Sequence, residues 1–167
     1  DVFAVQSEIA AAVTNALVAR VAPGSAPSAD GGTVTTAGGT TIVAAFDAYL
    51  RGRALYDLSV DEASERAALA QFDIAIAADP NYAAAHAARA RSLTAIANQY
   101  GKASELTQLY DAAIAAARRA IAIAPSLADA HSTLGFTLFQ GRLDARAARE
   151  PFERSRELGA GEATVLA

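Results

Sequence analysis

The amino-acid sequence predicts an all-α fold: a right-handed superhelical stack of about three helix hairpins, preceded by one further amphipathic helix. Three observations carry this prediction. Alanine, the best helix former, supplies 46 of the 167 residues, and β-branched residues thin out after residue 43. Turn-forming residues recur at short intervals and divide 43–158 into six helical segments. A sequence pattern also repeats at an offset of 45 residues.

The composition closes off several kinds of chemistry. No Cys is present, which excludes disulfide scaffolds, thiolate zinc sites, iron–sulfur clusters and thiol nucleophiles. With two His in the chain, an all-histidine metal site is disfavoured, and no cofactor is expected. Net charge is −4, with 13 Arg and one Lys scattered among 18 acids, a poor electrostatic footprint for nucleic acid. No apolar run approaches the roughly 18–20 residues that span a bilayer, so no direct membrane insertion is expected, and no signal peptide is visible. Beginning at Asp1 and lacking Met, the chain reads as a piece of something longer.

Along the chain, 1–22 carries Val2, Val5, Ile9, Val13, Leu17 and Val21 at spacings of three and four, an apolar stripe on one helix that Pro23 and Gly24 end. The stretch 23–42 is rich in Gly, Ser, Thr and Pro and reads as a flexible linker with little to bury. Its paired glycines lack the Lys-Ser or Lys-Thr of a phosphate-cradling loop. From 43 to 167 the chain reads as one helical repeat domain, with turns expected near Ser59–Glu62, Asp79–Asn81, Gly101–Ser104, Pro125–Ser126, Gln140–Asp144 and Gly159–Gly161. Pro151 is expected to kink the last helix or to mark its true start.

The repeat is explicit in the residues. Asp79-Pro80-Asn81-Tyr82-Ala83-Ala84-Ala85-His86 aligns with Ala124-Pro125-Ser126-Leu127-Ala128-Asp129-Ala130-His131, and Ala68, Ala75 and Ile76 fall on Ala113, Ala120 and Ile121. Small residues at fixed points let the two helices of a hairpin approach closely, and a proline after the second helix ends it. Leu134-Gly135, Ala148 and Phe152, like Ala68, Phe72, Ala75 and Pro80, give the pattern by which the chain resembles the tetratricopeptide repeat (TPR) family. Its unit is about 34 residues, so the 45-residue offset implies about 11 extra residues, placed at 98–108. Departures are Arg51 before Gly52, Ala117 at the aromatic position, and a close on Gly159-Ala160-Gly161 without proline.

A second resemblance covers the arrangement. Phe3-Ala4-Val5-Gln6, a Gly/Thr-rich spacer and Ala48-Tyr49-Leu50-Arg51-Gly52-Arg53 are similar to the TolB amino-terminal-like segment plus TPR region of bacterial class III nucleotide cyclases and membrane-tethered winged-helix regulators. That likeness implies a regulatory module of a bacterial, inner-membrane-tethered signalling protein, its catalytic or DNA-binding domain lying upstream. The side of the membrane is left open.

The TPR resemblance also implies which residues face a ligand, since first helices of TPR units line a concave face. Carried over by position, these are Tyr49, Arg53 and Tyr56; Ala84, Ala87, Arg91 and Thr94; and Asp129, Ser132, Phe136, Phe139 and Gln140. Phe136 and Phe139 suit apolar anchors, and Arg53 and Arg91 suit a carboxylate. The same aromatics equally fit packing against neighbouring helices, and the same arginines a solvated face. His86 and His131 occupy equivalent repeat positions and are read as packing residues ahead of metal ligands or acid–base groups. Asp129, His131 and Ser132 resemble a triad on paper, but neighbours one or two apart on a helix diverge, so no catalytic residue is assigned.

The function expected is a non-catalytic module that binds a protein or peptide partner in the concave face. A small-molecule sensor, with its ligand between the amino-terminal helix and the array, and a dimerisation scaffold are the alternatives. The amphipathic helix at 1–22 has three candidate roles: a cap on the array, the end of a preceding domain, or a self-association element filling a neighbour's groove.

Overall fold

The computed structural model describes residues 38–159, and among these all regular secondary structure is α-helical. Six helices follow in order: α1 (Val43–Asp57), α2 (Glu62–Ala78), α3 (Ala83–Gln99), α4 (Leu106–Ile123), α5 (Ala128–Arg142) and α6 (Ala145–Leu158). The most extensive packing is α1 on α2, α3 on α4 and α5 on α6, which makes three hairpins. Contacts of α2 with α3 and of α4 with α5 stack them, and α3 also packs directly on α5. The all-α prediction and its repeat of hairpins hold. The amphipathic stripe at 1–22 and most of the linker at 23–42 lie outside the described residues.

Each hairpin is set by a small residue facing its second helix. In the first, Gly52 sits on the buried ring of Phe72, and a Cβ added there would lie 2.6 Å from Phe72 Cε1. In the third, a Cβ on Gly135 would lie 2.9 Å from Phe152 Cδ1. The middle hairpin solves the same problem with different volumes. Ala90 occupies the glycine's place and Ala117 the phenylalanine's, and both are buried in one cluster with Ile114 and Leu134. Glycine with phenylalanine is thus exchanged for alanine with alanine, as close packing at fixed helix separation demands.

Local signals explain where the helices begin and end. Asp61 caps α2: its carboxylate accepts from the Ser64 N–H at 2.8 Å while the Ser64 hydroxyl takes the Asp61 N–H, a reciprocal capping box. Asp144 accepts from Ala147 N–H at the start of α6. At the other end of α5, Leu143 is left-handed (φ 50°) and 84% exposed, an unfavourable conformation for a residue with a Cβ.

One expectation is refined and two are corrected. The insertion at 98–108 falls partly in helix and partly in the turn: α3 runs to Gln99 and α4 begins at Leu106. The Tyr110 hydroxyl donating to Asn98 Oδ1 at 2.5 Å joins the two helices across the turn. Pro151 does not mark the start of the last helix, one of its two expected roles; it lies buried inside α6, which begins at Ala145 and continues through it. Finally, 38–42, assigned to the flexible linker, is held. The Gly38 carbonyl accepts from Ala84 N–H at 3.0 Å, serving one of the donors that α3 leaves unpaired at its start. Thr40 Oγ1 donates to Asp79 at 2.5 Å. Gly38 itself has φ 82°, and a Cβ there would crowd Leu127 Cδ2 at 3.1 Å.

Two stability outcomes follow. Gly52→Ala should destabilise the wild type by about 1–3 kcal/mol through overpacking, yet cost almost nothing on a Phe72→Ala background. Chemical denaturation of the four variants checks this, and equal costs on both backgrounds would refute the packing argument. Leu143→Gly should raise stability by about 1 kcal/mol by relieving the left-handed backbone, read as a higher denaturation midpoint.

Candidate functional site

The first helices of the hairpins place their side chains on a common face. Tyr56 at the end of α1, Arg91 of α3, and Ser132, Thr133 and Phe136 of α5, with Phe152 of α6, enclose an open recess of about 360 Å³. Ser132 and Phe136 are four apart, and Phe139 and Gln140 follow one turn later, so α5 presents them on one side. Phe136 and Phe139 are 44% and 46% exposed, large apolar surface left uncovered on this face.

The arginines of this face are already paired with groups of the same chain. Arg91 forms an ion pair with Asp129 across α3 and α5. Ser132 Oγ donates to the Asp129 carbonyl at 3.0 Å. Arg53 donates to the Tyr49 hydroxyl at 3.3 Å and lies 3.9 Å from the Asp57 carboxylate. Burial pushes the Tyr56 phenol above its ordinary range, against the opposing charge of Arg91, so it remains a neutral hydroxyl. Behind it, burial raises the Glu65 carboxyl, whose Oε2 has no hydrogen-bond partner.

The structure sorts the candidates from the sequence. Tyr56, Arg91, Ser132 and Phe136 line the recess together, and Asp129 flanks it through Arg91. Phe139, Gln140 and Arg53 are exposed beside it. Tyr49 is a correction: its ring packs between Phe72 (6.0 Å between centroids) and Tyr82 (5.0 Å), so it serves the core. Thr94 is another, fully buried in the seam between α3 and α5 with its hydroxyl 2.9 Å from that of Thr137. Each hydroxyl also reaches the carbonyl four residues earlier, Ala90 and Thr133. Two protons serve three contacts, so one hydroxyl donates across the seam and the other within its own helix. Ala87 is likewise buried. Sequence reasoning missed Thr133 and Phe152 as recess-lining residues. Phe152 carries a repeat signal that assigns it to hairpin packing, which it performs against Gly135 while its free edge faces the recess.

His86 and His131 repeat a single structural device. His86 Nε2 lies 3.1 Å from the Pro80 carbonyl and His131 Nε2 2.9 Å from the Pro125 carbonyl, six residues back in each case. A carbonyl only accepts, so Nε2 carries the proton and each ring ties the turn before a first helix to that helix. Among the described residues, no three His, Asp or Glu side chains gather as a metal site, and no helix is long and apolar enough to cross a membrane.

Comparison with known proteins agrees with this geometry. No protein-family model matches the chain, and neither does any curated protein. Among solved structures, one match is the first TPR of Spaghetti (RPAP3) bound to the HSP90 peptide SRMEEVD, with a TM-score of 0.58 and 16% identity, covering 81% of this chain and 90% of that one. The fold is TPR-like. In these terms α1, α3 and α5 are the first helices of three TPR-like units, and the recess lies on the face they share. The likeness at this identity concerns the fold; the bacterial cyclase-type arrangement finds no support in it.

Protonation of His86 should be visible in stability. Burial lowers its pKa first of all, reinforced by Arg119 and Arg89 and opposed by the Pro80 bond and Asp79. The unfolded chain takes up a proton near pH 6.5 that the folded chain refuses. Stability contributed by the neutral ring is therefore present above about pH 6.5 and lost as pH falls below that value. His86→Gln should flatten the fall in denaturation free energy between pH 7 and pH 5; an unchanged slope would show that His86 titrates alike in both states.

Proposed function

We propose that this chain is a non-catalytic protein-interaction module that holds a peptide or partner helix against the face of α1, α3 and α5. One observation carries the reading: Tyr56, Arg91, Ser132 and Phe136, from three different helices, converge on one open recess, with Phe136 and Phe139 left exposed beside it. Exposed aromatic side chains beside a concavity are the usual anchors of protein recognition. The TPR-like neighbour, bound to a peptide, supports the same use of the fold. The further reading, that the module belongs to a larger bacterial signalling protein and transmits partner capture to an output domain, rests on the sequence arrangement alone.

Site-specific photocrosslinking tests the surface. A benzoylphenylalanine at Ser132 or Gln140 should capture a partner from extracts of the source cells. The same group at Arg118, on the exposed side of α4, should capture at least tenfold less. Equal yields at all three positions would remove this face from consideration.

A further inference from the structure

Resting on the reading of this face as a peptide-binding groove, we infer that its ligand is a segment presenting a bulky apolar side chain without carboxylates, and that the groove discriminates against acidic chain termini. The argument is one of charge already spent. A groove that captures a carboxylate needs donors with free hydrogen-bonding capacity and uncompensated positive charge. Here the two arginines of the face each have an acid from the same chain in place: Asp129 pairs with Arg91 and Asp57 stands beside Arg53. An incoming carboxylate would have to displace Asp129 and leave it unpaired next to the newcomer, a like-charge juxtaposition. Glu65, buried behind Tyr56 with one oxygen lacking any donor, adds a further acidic group on the same side.

What the recess does offer is apolar wall and neutral hydroxyl. Phe136 and Phe152 supply ring surface, and Tyr56, Ser132 and Thr133 supply hydroxyls at its edge. A volume of about 360 Å³ admits one large aliphatic or aromatic side chain with its flanking backbone. Asp129 therefore acts as a specificity residue: it neutralises Arg91 and so selects the class of ligand without touching an apolar one.

The test is an unbiased selection followed by a charge reversal. The chain is panned against a random dodecapeptide library displayed with free carboxyl termini. Enriched peptides are expected to carry Phe, Leu, Ile or Trp and to be depleted in Asp and Glu, and their Kd should rise at least tenfold in Phe136→Ser, with helicity and melting temperature as folding controls. Asp129→Asn should improve the binding of an acidic-tailed control peptide at least fivefold relative to any change in the apolar peptides, with helicity and melting temperature again as folding controls. Enrichment of acidic termini by the wild-type chain, or no gain for the acidic peptide in Asp129→Asn, would overturn the inference while the groove reading stands. Enriched peptides indifferent to Phe136→Ser, or no enrichment at all, would overturn the groove reading and this inference with it. Sedimentation showing self-association that Phe136→Ser abolishes would make a second copy of the chain the occupant, and would overturn the inference too.

Discussion

Close approach of the two helices within each hairpin is the constraint on which the rest of the structure depends. A core made largely of alanine gains little from burial per residue, about 0.8 kcal/mol for each methylene-sized group. Such a core holds only if backbones come near enough for dispersion contacts to accumulate. Ala45, Ala48, Ala75 and Ala85 in the first two hairpins, and Ala113, Ala116, Ala117 and Ala120 on α4, are the surfaces that permit it. The few large buried side chains, Phe72, Tyr82 and Ile96 foremost, fill the gaps that uniform small residues leave. Within the helices, glycine stands where a ring must be received: Gly52 against Phe72, Gly135 against Phe152 and Gly141 against Tyr110.

The ties between hairpins have a different character. Between α3 and α5, apolar packing of Ala87 and Ala90 with Ala130 and Leu134 is joined by polar ties: the Thr94–Thr137 hydroxyl pair inside the seam and the Arg91–Asp129 ion pair at its edge. A partly exposed ion pair contributes at most about 1 kcal/mol, so its larger effect is on geometry and on the potential of the face. The groups that align the second and third hairpins are therefore those that set the charge of the recess. Stacking and the charge of the recess thus share Asp129 and Arg91.

Much of the fold was legible because its signals are local or periodic. Turn residues and the spacing of small residues act over a few positions, and the 45-residue offset exposes the repeat directly. The candidate face was partly legible. Position within a repeat grouped Tyr56, Arg91, Ser132 and Phe136, which line one recess in the structure. It failed for Tyr49 and Thr94, because a few tens of degrees of helix rotation decide whether a side chain enters a seam or a groove. It also failed for Phe152, whose packing role and exposed edge belong to one ring.

The amino-acid sequence by itself determined that the chain is helical, where its helices start and stop, and that hairpins repeat, since these follow from propensity, capping and the spacing of small and large side chains. Only the tertiary structure decided that Arg91 is paired across two hairpins, and that the segment at 38–42 is pinned to the start of α3. Those outcomes depend on residues 38 or more positions apart, such as Arg91 with Asp129 and Thr40 with Asp79, meeting through the stacking of hairpins. No local pattern encodes such a meeting.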